Sequence, residues 1–359
     1  MQQIVTSAAE LAELSASFAA QPRLALDTEF LRERTYRAQL CLVQLATPQR
    51  AVCIDPLAFA ELRALTQLLT ARGVLKVMHA SRQDLEVLLP LAAGVGPIFD
   101  TQIAAALCGL PAQVGYAELV RRLLGHELPK SHTRTDWSRR PLSPQQLEYA
   151  LDDVRYLLPL AAALEERLAQ LGRGGWLAEE LAALEDPADL TVAPEEAWRR
   201  LKGLRELDPA RQRLARELAA WRERMASVHD RPRGWILDEA QLREMVARVP
   251  RTTAELAAAG LPPGLIKRRG AELLGCVEAA AVPQPTPPLP ARARPDPKRT
   301  ALIKSLATIT QGIAAELGLA AELLATRRDL ERLAEGDRDV AVLHGWRRAV
   351  LGERLLAVL

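Results

Sequence analysis

Three short apolar runs stand out in the first sixty residues. Residues 24–30, 38–47 and 51–56 are each rich in Leu, Val, Ile or Cys and are separated by turn-forming segments. Runs of this length and composition predict β-strands, and their close succession predicts an antiparallel meander. The periodicity then changes to that of a helix over residues 59–71.

The pattern that follows interleaves strands with helices. A short apolar strand is predicted over residues 74–80, and a helix opens at Ser81. A strand-like run from Pro97 passes into another helix, and residues 144–184 have strong helical periodicity. Three strands followed by alternating strands and helices predict a mixed α/β sheet with helical cover.

Beyond residue 190 the apolar pattern is that of helices. Helical stretches are separated by short loops, as in a small helical bundle. A proline-rich segment, unable to form a helix or a sheet strand, interrupts them and predicts a linker. The predicted domains are an α/β domain over 1–190, a helical domain over 200–281, a linker over 282–297 and a second helical domain over 298–359.

Length and charge sharpen this division. A chain of 359 residues exceeds one compact core, and an apolar fraction of 49% excludes a disordered protein. Residues 1–190 carry 18 Lys and Arg against 23 Asp and Glu, whereas residues 191–359 carry 29 against 22. An acidic first half and a basic second half are typical of a metal-binding domain joined to a polyanion-binding one, although solubility alone would also explain the asymmetry.

Cysteine usage and hydropathy limit the class of protein. The four cysteines are widely spaced, so neither a disulfide framework nor a structural zinc site is predicted, and we expect buried, reduced thiols. No leader pattern or apolar run of membrane-spanning length occurs, so we expect a cytoplasmic protein without a membrane partner.

Two acids interrupt the first predicted strand. Alternate residues of a strand share a face, so Asp27 and Glu29 point the same way. Two carboxylates about 4 Å apart repel by about 4 kcal/mol at an effective dielectric constant near 20, and either solvent or a divalent cation must offset that repulsion.

Two further acidic motifs follow along the chain. Asp84 lies at the third position of the helix that opens at Ser81, where a capping box is the alternative explanation for an acid. Tyr149 and Asp153 are separated by four residues on a predicted helix and therefore lie on one face. An amphipathic helix with a packed tyrosine and a solvated acid is the alternative here.

Taken in chain order, these motifs resemble the DEDD superfamily of 3′→5′ exonucleases, in the subclass with a Tyr-x-x-x-Asp third motif. The first motif matches as DTEF with Asp27 and Glu29, the second as HASRQDLEVL with Asp84, and the third as YALDD with Tyr149 and Asp153. The resemblance implies a DnaQ-like, RNase H-like exonuclease domain whose four carboxylates hold two divalent cations, Mg²⁺ or Mn²⁺. Two cations activate water and stabilise the leaving oxygen in phosphodiester hydrolysis. The tyrosine, with an ordinary pKa near 10, would orient the attacking water.

The second half resembles the HRDC domain, a helical nucleic-acid-binding module. The matching features are Trp221-Arg222-Glu223, the RPRGWILDEAQL turn with Pro232 and Asp238, and VPRTTAEL. Residues 298–359 resemble a divergent second HRDC-type domain. One exonuclease domain followed by two all-α HRDC-type domains is the arrangement of the ribonuclease D family. That resemblance implies a monomeric exoribonuclease that releases 5′-mononucleotides from RNA, with tRNA precursors as substrates whose 3′ trailers it trims.

Two other functions stay open at this stage. A DNA exonuclease of the same superfamily would carry the same acids, because sugar selection depends on contacts with the 2′-hydroxyl that the motifs do not include. A non-catalytic RNA-binding protein would be expected to lack at least one of the acids, yet all four are present.

Overall fold

The computed structural model describes residues 4–129, 135–188, 190–282 and 296–359. Within them the chain forms two compact units. Unit 1 contains residues 4–31, 40–190 and 296–359, and unit 2 contains residues 32–39 and 191–282.

Unit 1 is built on a six-stranded mixed sheet. The strands are β1 (Ile4–Val5), β2 (Arg23–Leu31), β3 (Gln39–Ala46), β4 (Ala51–Ile54), β5 (Leu75–Met78) and β6 (Ile98–Asp100), in the spatial order β1-β4-β3-β2-β5-β6. β3 and β4 are antiparallel, with Gln44 opposite Cys53. β2 runs parallel to β5, and β5 runs parallel to β6. The predicted mixed sheet is therefore confirmed, with β2 at its centre.

Eight helices follow or flank these strands up to residue 185. They are α1 (Ala8–Ala19), α2 (Arg63–Thr70), α3 (Arg82–Leu88), α4 (Thr101–Leu107), α5 (Tyr116–Leu124), α6 (Pro144–Arg155), α7 (Leu157–Gln170) and α8 (Gly174–Glu185). α6 begins with a capping box in which Ser143 and Gln146 exchange hydrogen bonds, and Pro144 occupies the first turn, where no backbone N–H is needed. These signals fix where the helix that carries the third acidic motif begins.

The C-terminal helices belong to unit 1. They are α14 (Pro297–Leu317), α15 (Ala321–Leu324), α16 (Arg327–Ala334), α17 (Gly345–Arg347) and α18 (Glu353–Leu356), the last two joined by a π-helical turn. Their apolar residues, such as Leu306 and Leu333, share one core with the sheet and its helices. The sequence pattern placed residues 298–359 in a domain of their own, whereas in the structure they complete the core of unit 1.

The contact between α8 and α17 shows how specific this packing is. The rings of Trp176 and Trp346 stack at 4.5 Å between centroids. Glu180 accepts hydrogen bonds from the indole N–H of Trp346 at 2.8 Å and from Arg347 at 2.5 Å. Gly345 has φ +52° and approaches Glu179 so closely that a Cβ atom would clash with its carboxylate. Glycine is therefore favoured at this position, since a side chain would be strained and would displace the Glu179 carboxylate.

Unit 2 is helical apart from the segment that continues β2. Its helices are α9 (Pro209–His229), α10 (Arg233–Ile236), α11 (Glu239–Arg248), α12 (Thr253–Ala258) and α13 (Pro263–Ala281), preceded by two short 3₁₀ helices. They enclose a separate core around Leu218, Trp221 and Leu273. α11 begins with a capping box between Asp238 and Gln241.

Most predicted elements are present, with two kinds of difference. The sequence patterns missed β1, α1 and α5, and Pro194–Arg200, in the part predicted to be helical, forms a 3₁₀ helix. The proline-rich linker lies largely outside the described residues. Where the structure describes the chain, no helix has the length and apolar character needed to cross a bilayer.

Candidate active site

β2 delivers the first two acids to the middle of the sheet. Its burial pattern alternates from Leu26 to Glu29, so that Asp27 and Glu29 are partly exposed while Thr28 between them is buried. The Thr28 hydroxyl donates a hydrogen bond to Asp84 at 2.5 Å. The strand therefore places its own acids in one pocket and holds the acid of the second motif there as well.

Asp84 is not a helix cap. Ser81, the predicted cap of α3, has helical dihedral angles and makes no side-chain cap hydrogen bond. Its hydroxyl donates to Asp100 at 2.8 Å, and the carboxylate of Asp84 is 8% exposed. The capping-box alternative for this acid is therefore wrong, because the side chain accepts from Thr28 and faces the pocket.

The third motif lies on α6 as its spacing predicts. The Tyr149 hydroxyl donates to Asp153 one turn later, which lowers the pKa of that carboxyl against the effect of burial. The Tyr149 ring lies 6.1 Å from the buried ring of Trp137, measured between centroids. The Tyr149 ring therefore lies beside Trp137, while its hydroxyl is hydrogen-bonded to Asp153.

The four carboxylates act on one another electrostatically. Burial, and then the charges of the other three acids, raise the pKa of Asp27 well above its ordinary value. Burial and the charges of Asp153 and Asp84 raise the pKa of Glu29 to about 8. Burial is also the first cause that raises the pKa of Asp84 and of Asp153, each to about 7. The acids of three separate motifs therefore lie close enough, in a desolvated site, for their charges to disfavour one another's ionised forms.

The pocket fits hard divalent cations in its chemistry. All four side chains offer carboxylate oxygens, the ligands that Mg²⁺ and Mn²⁺ prefer, and their mutual repulsion is what a cation would offset. Across the described ranges, however, no three or more His, Cys, Asp or Glu side chains have the spacing of a formed metal site.

Asp100 organises the turn before α3, and the sequence patterns missed it. Its carboxylate accepts from the backbone N–H of Ala80 at 3.2 Å and of Ser81 at 2.7 Å, and it caps α4 through Gln102 and Ile103. Ala80 has φ +53°, a strained conformation for a residue other than glycine. An acid between a strand and a helix is a known signal for a helix cap, so the capping role of Asp100 could have been predicted. The hydrogen bonds that it accepts from Ala80 and Ser81 join residues about twenty positions apart, and no local pattern predicts them.

Gln44 is the other polar group that the sequence patterns missed. It is fully buried, and within the described residues neither amide atom has a hydrogen-bond partner. Its strand partner Cys53 lies within electrostatic reach of Glu29: burial, and then that negative charge, raise the pKa of the Cys53 thiol to about 12. The sequence signal that could have identified Gln44 is a polar residue within the apolar strand pattern of residues 38–47.

Two further polar side chains of unit 1 have partners within the protein. The two ring nitrogens of His79 lie 2.9 Å from the Thr101 hydroxyl and 3.0 Å from the Val114 carbonyl. Arg140, which precedes α6, makes a bidentate pair with Asp55 at 2.6 and 2.7 Å.

Family models match two parts of the chain. One described as a 3′-5′ exonuclease matches residues 2–169, and one described as the HRDC domain matches residues 211–277. One HRDC match is found, whereas the sequence pattern predicted two such domains.

Whole-chain relatives agree with this division. The chain is 39% identical over 361 residues to ribonuclease D of Nitrobacter hamburgensis, covering 99% of this chain and 94% of the relative. It is 42% identical over 372 residues to ribonuclease D of a Jannaschia species, covering 100% and 95%. Among solved structures, Escherichia coli RNase D, described as an exoribonuclease involved in structured RNA processing, superposes with a TM-score of 0.89 at 33% identity, covering 100% of this chain and 98% of that one.

Proposed function

The chain belongs to the ribonuclease D family of 3′→5′ exoribonucleases, and on that premise we propose that it removes nucleotides from RNA at the pocket of Asp27, Glu29, Asp84 and Asp153. The observation that carries the proposal is the convergence of four carboxylates, from one strand and two helices, on a single site where they raise one another's pKa. Acids whose pKa values are raised by burial and by one another's charges cluster at functional sites, because a bound cation can offset the repulsion.

The proposed ligands of two divalent cations, Mg²⁺ or Mn²⁺, are these four carboxylates. When bound, the cations supply activation of the attacking water and stabilisation of charge on the phosphate and the leaving 3′-oxygen. The chain itself contributes the orientation of the ligands. Thr28 holds Asp84, and Tyr149 holds Asp153, each by a hydroxyl hydrogen bond.

Tyr149 is proposed to orient the attacking water, which would place the chain in the Tyr-containing DEDD subclass. Burial, and then the negative charges of Asp153, Glu29 and Asp27, raise its pKa above the ordinary value, so the phenol stays protonated at neutral pH. A protonated phenol is not a base, but it donates and accepts hydrogen bonds. Its partner Asp153 fixes its direction.

We propose tRNA precursors as the RNA and 5′-mononucleotides as the products. The similarity to a structure described as acting in structured RNA processing supports this class of substrate. A monomer in the cytoplasm, with residues 298–359 as a divergent HRDC-type module, completes the proposal. The helical content of α14 to α18 supports that last part, and the domain boundaries 1–190, 200–281 and 298–359 stay predictions.

A cation titration on labelled RNA tests the proposal. Purified chain is incubated with 3′-labelled RNA and with a DNA strand of the same sequence, in EDTA and then in increasing Mg²⁺ or Mn²⁺. We expect label release as mononucleotides only with added cation, and faster release from RNA. Equal hydrolysis in EDTA would contradict the role of the carboxylates, and preferred hydrolysis of DNA would favour the DNA exonuclease.

A further inference from the structure

A basic cavity in unit 2 is lined by an exposed tryptophan. Trp235, on the short helix α10, is 60% exposed. The other two tryptophans of the unit are covered: Trp221 is buried and donates to Glu272 at 2.9 Å, and Trp198 lies beneath Arg216 at 4.6 Å. Packing therefore does not explain the large apolar surface of Trp235.

The cavity beside this ring measures about 480 Å³. Its apolar lining comes from Met225, Ile236 and Leu265. This volume and an accessible indole suit a flat, partly apolar group such as a nucleobase. Any of the bases can stack on an aromatic side chain, so such binding does not depend on the RNA sequence.

The charges around the cavity are positive. The Arg231 guanidinium lies 5.9 Å from the Trp235 ring centroid, and the exposed Arg268 lines the same cavity. Neither pairs with a carboxylate in the part of the chain that the structure describes. Arg269 is paired with Glu272 at 2.7 Å and also contacts His229. Arg231 and Arg268 are therefore available to phosphate.

We propose that this Trp235 cavity binds a single-stranded segment of the RNA substrate, with one base stacked on Trp235 and the adjacent phosphates on Arg231 and Arg268. The inference rests on the proposed function, because its ligand is the RNA that the acidic pocket shortens. Single strands fit better than duplex because stacked, paired bases cannot offer a face to the indole. Charge complementarity selects RNA over an apolar peptide, and the chemistry is independent of base sequence.

Binding measured in EDTA separates this inference from catalysis. The full chain is titrated against a fluorescent single-stranded 12-nucleotide RNA and against a blunt RNA duplex. We expect Trp235→Ala to weaken single-strand binding about 10-fold, the usual effect of losing one stacked base, and Trp235→Phe to restore most of it. The affinity for duplex should change little.

Salt dependence tests the arginines. Arg231→Gln should reduce the slope of log affinity against log salt by about 0.7, the value for one phosphate contact on a single strand. Arg243→Gln is the matched control, because Arg243 is exposed on the same unit but paired with Glu239 at 3.2 Å. It should leave the slope unchanged.

The outcomes separate the two proposals. Wild-type single-strand affinity in a folded Trp235→Ala chain would overturn the cavity, as would an equal loss of duplex binding or a preference for an acidic peptide over RNA. If the wild-type chain hydrolyses no RNA with added Mg²⁺, and Trp235→Ala still weakens its single-strand binding, the cavity proposal stands and the proposed function is overturned. Thermal melting of each variant shows whether it is folded.

Discussion

The carboxylates of Glu223 in unit 2 and of Asp27 in unit 1 have opposite electrostatic surroundings. In unit 2 the Glu223 side chain is 3% exposed, yet Arg233 donates two hydrogen bonds to it at 2.5 Å, and Tyr36 donates a third at 2.6 Å. Although burial raises the pKa of Glu223, these partners bring it below the ordinary value. In unit 1 the charges around Asp27 are negative, and its pKa is raised.

The difference separates a structural acid from a binding acid. Glu223 is fully paired within the protein, so its charge is already compensated and nothing further is needed. The acids of the pocket are compensated in part only, by hydroxyls such as those of Thr28 and Tyr149. A carboxylate whose negative charge is not balanced by groups of the protein is suited to binding a cation.

The largest expected effect comes from removing one binding acid. Asp153→Asn should lower kcat for RNA by about 10³-fold, because several kcal/mol of cation-supplied stabilisation is lost. Asp152→Asn is the matched control: its side chain pairs with Arg155, and kcat should change less than about 3-fold, within about 1 kcal/mol. Equal losses in the two variants, measured by label release, would remove the distinction between the neighbouring acids.

Removing the structural acid should affect folding instead. Glu223→Ala leaves Arg233 and Tyr36 without their partner, and we expect the free energy of unfolding to fall by about 3 kcal/mol. Urea denaturation measures it. A double-mutant cycle with Arg233→Ala isolates the pair, and a coupling energy near zero would show that Glu223 is not stabilised by it.

Each unit also has a tyrosine that donates to a buried acid. Tyr149→Phe should lower kcat about 10-fold through the loss of one hydrogen bond that orients the water, and it should change the Mg²⁺ concentration for half-maximal rate much less than Asp153→Asn does. Tyr36→Phe should lower the melting temperature and leave kcat for a bound trinucleotide within about 2-fold, since its partner Glu223 is structural. Steady-state kinetics and thermal melting measure the two effects. If Tyr149→Phe changed only the melting temperature and Tyr36→Phe changed only kcat, the assigned roles of the two tyrosines would be wrong.

The smallest expected effect is on stability against pH. A carboxyl whose pKa is raised on folding destabilises the folded state above its unfolded pKa, near 4, and the loss grows until the folded pKa is reached. Those values are about 7 for Asp84 and about 8 for Glu29, so the cation-free chain should lose stability from pH 4 to pH 8. Asp84→Asn should recover part of that loss at pH 8, because each unit by which folding raises a pKa costs about 1.4 kcal/mol once the carboxyl is ionised.

Added Mg²⁺ sharpens that prediction. The cation requires ionised ligands, so its binding competes with protons and should raise the melting temperature more at pH 8 than at pH 6. Asp84→Asn should reduce the gain. A gain independent of pH, seen by calorimetry, would show that the raised pKa values do not govern binding.

Local patterns predicted the elements that carry the site. The two-residue period of a strand places Asp27 and Glu29 together, and the four-residue spacing on a helix places Tyr149 beside Asp153. Both rules depend on neighbours in the chain, so they can be applied without a structure. The meeting of the three motifs came from the family resemblance, since no local rule brings residue 84 to residue 28.

Contacts between distant residues were beyond those patterns. The left-handed conformation of Ala80 depends on Asp100, twenty positions later. The cores also divide differently from the sequence, because helical periodicity marks an apolar face without identifying the surface that will cover it. For α14 and the helices after it, that surface is unit 1.

Unit 1 is thus a discontinuous domain whose segments, residues 4–31, 40–190 and 296–359, are held together by a common core. A backbone nick within residues 191–282 would leave those segments associated, as in fragment complementation. A chain that stopped at residue 190 would instead expose to solvent the apolar surface that α14 covers. A piece that ended at residue 190 would therefore carry an exposed apolar face that the full chain buries, and such faces favour aggregation.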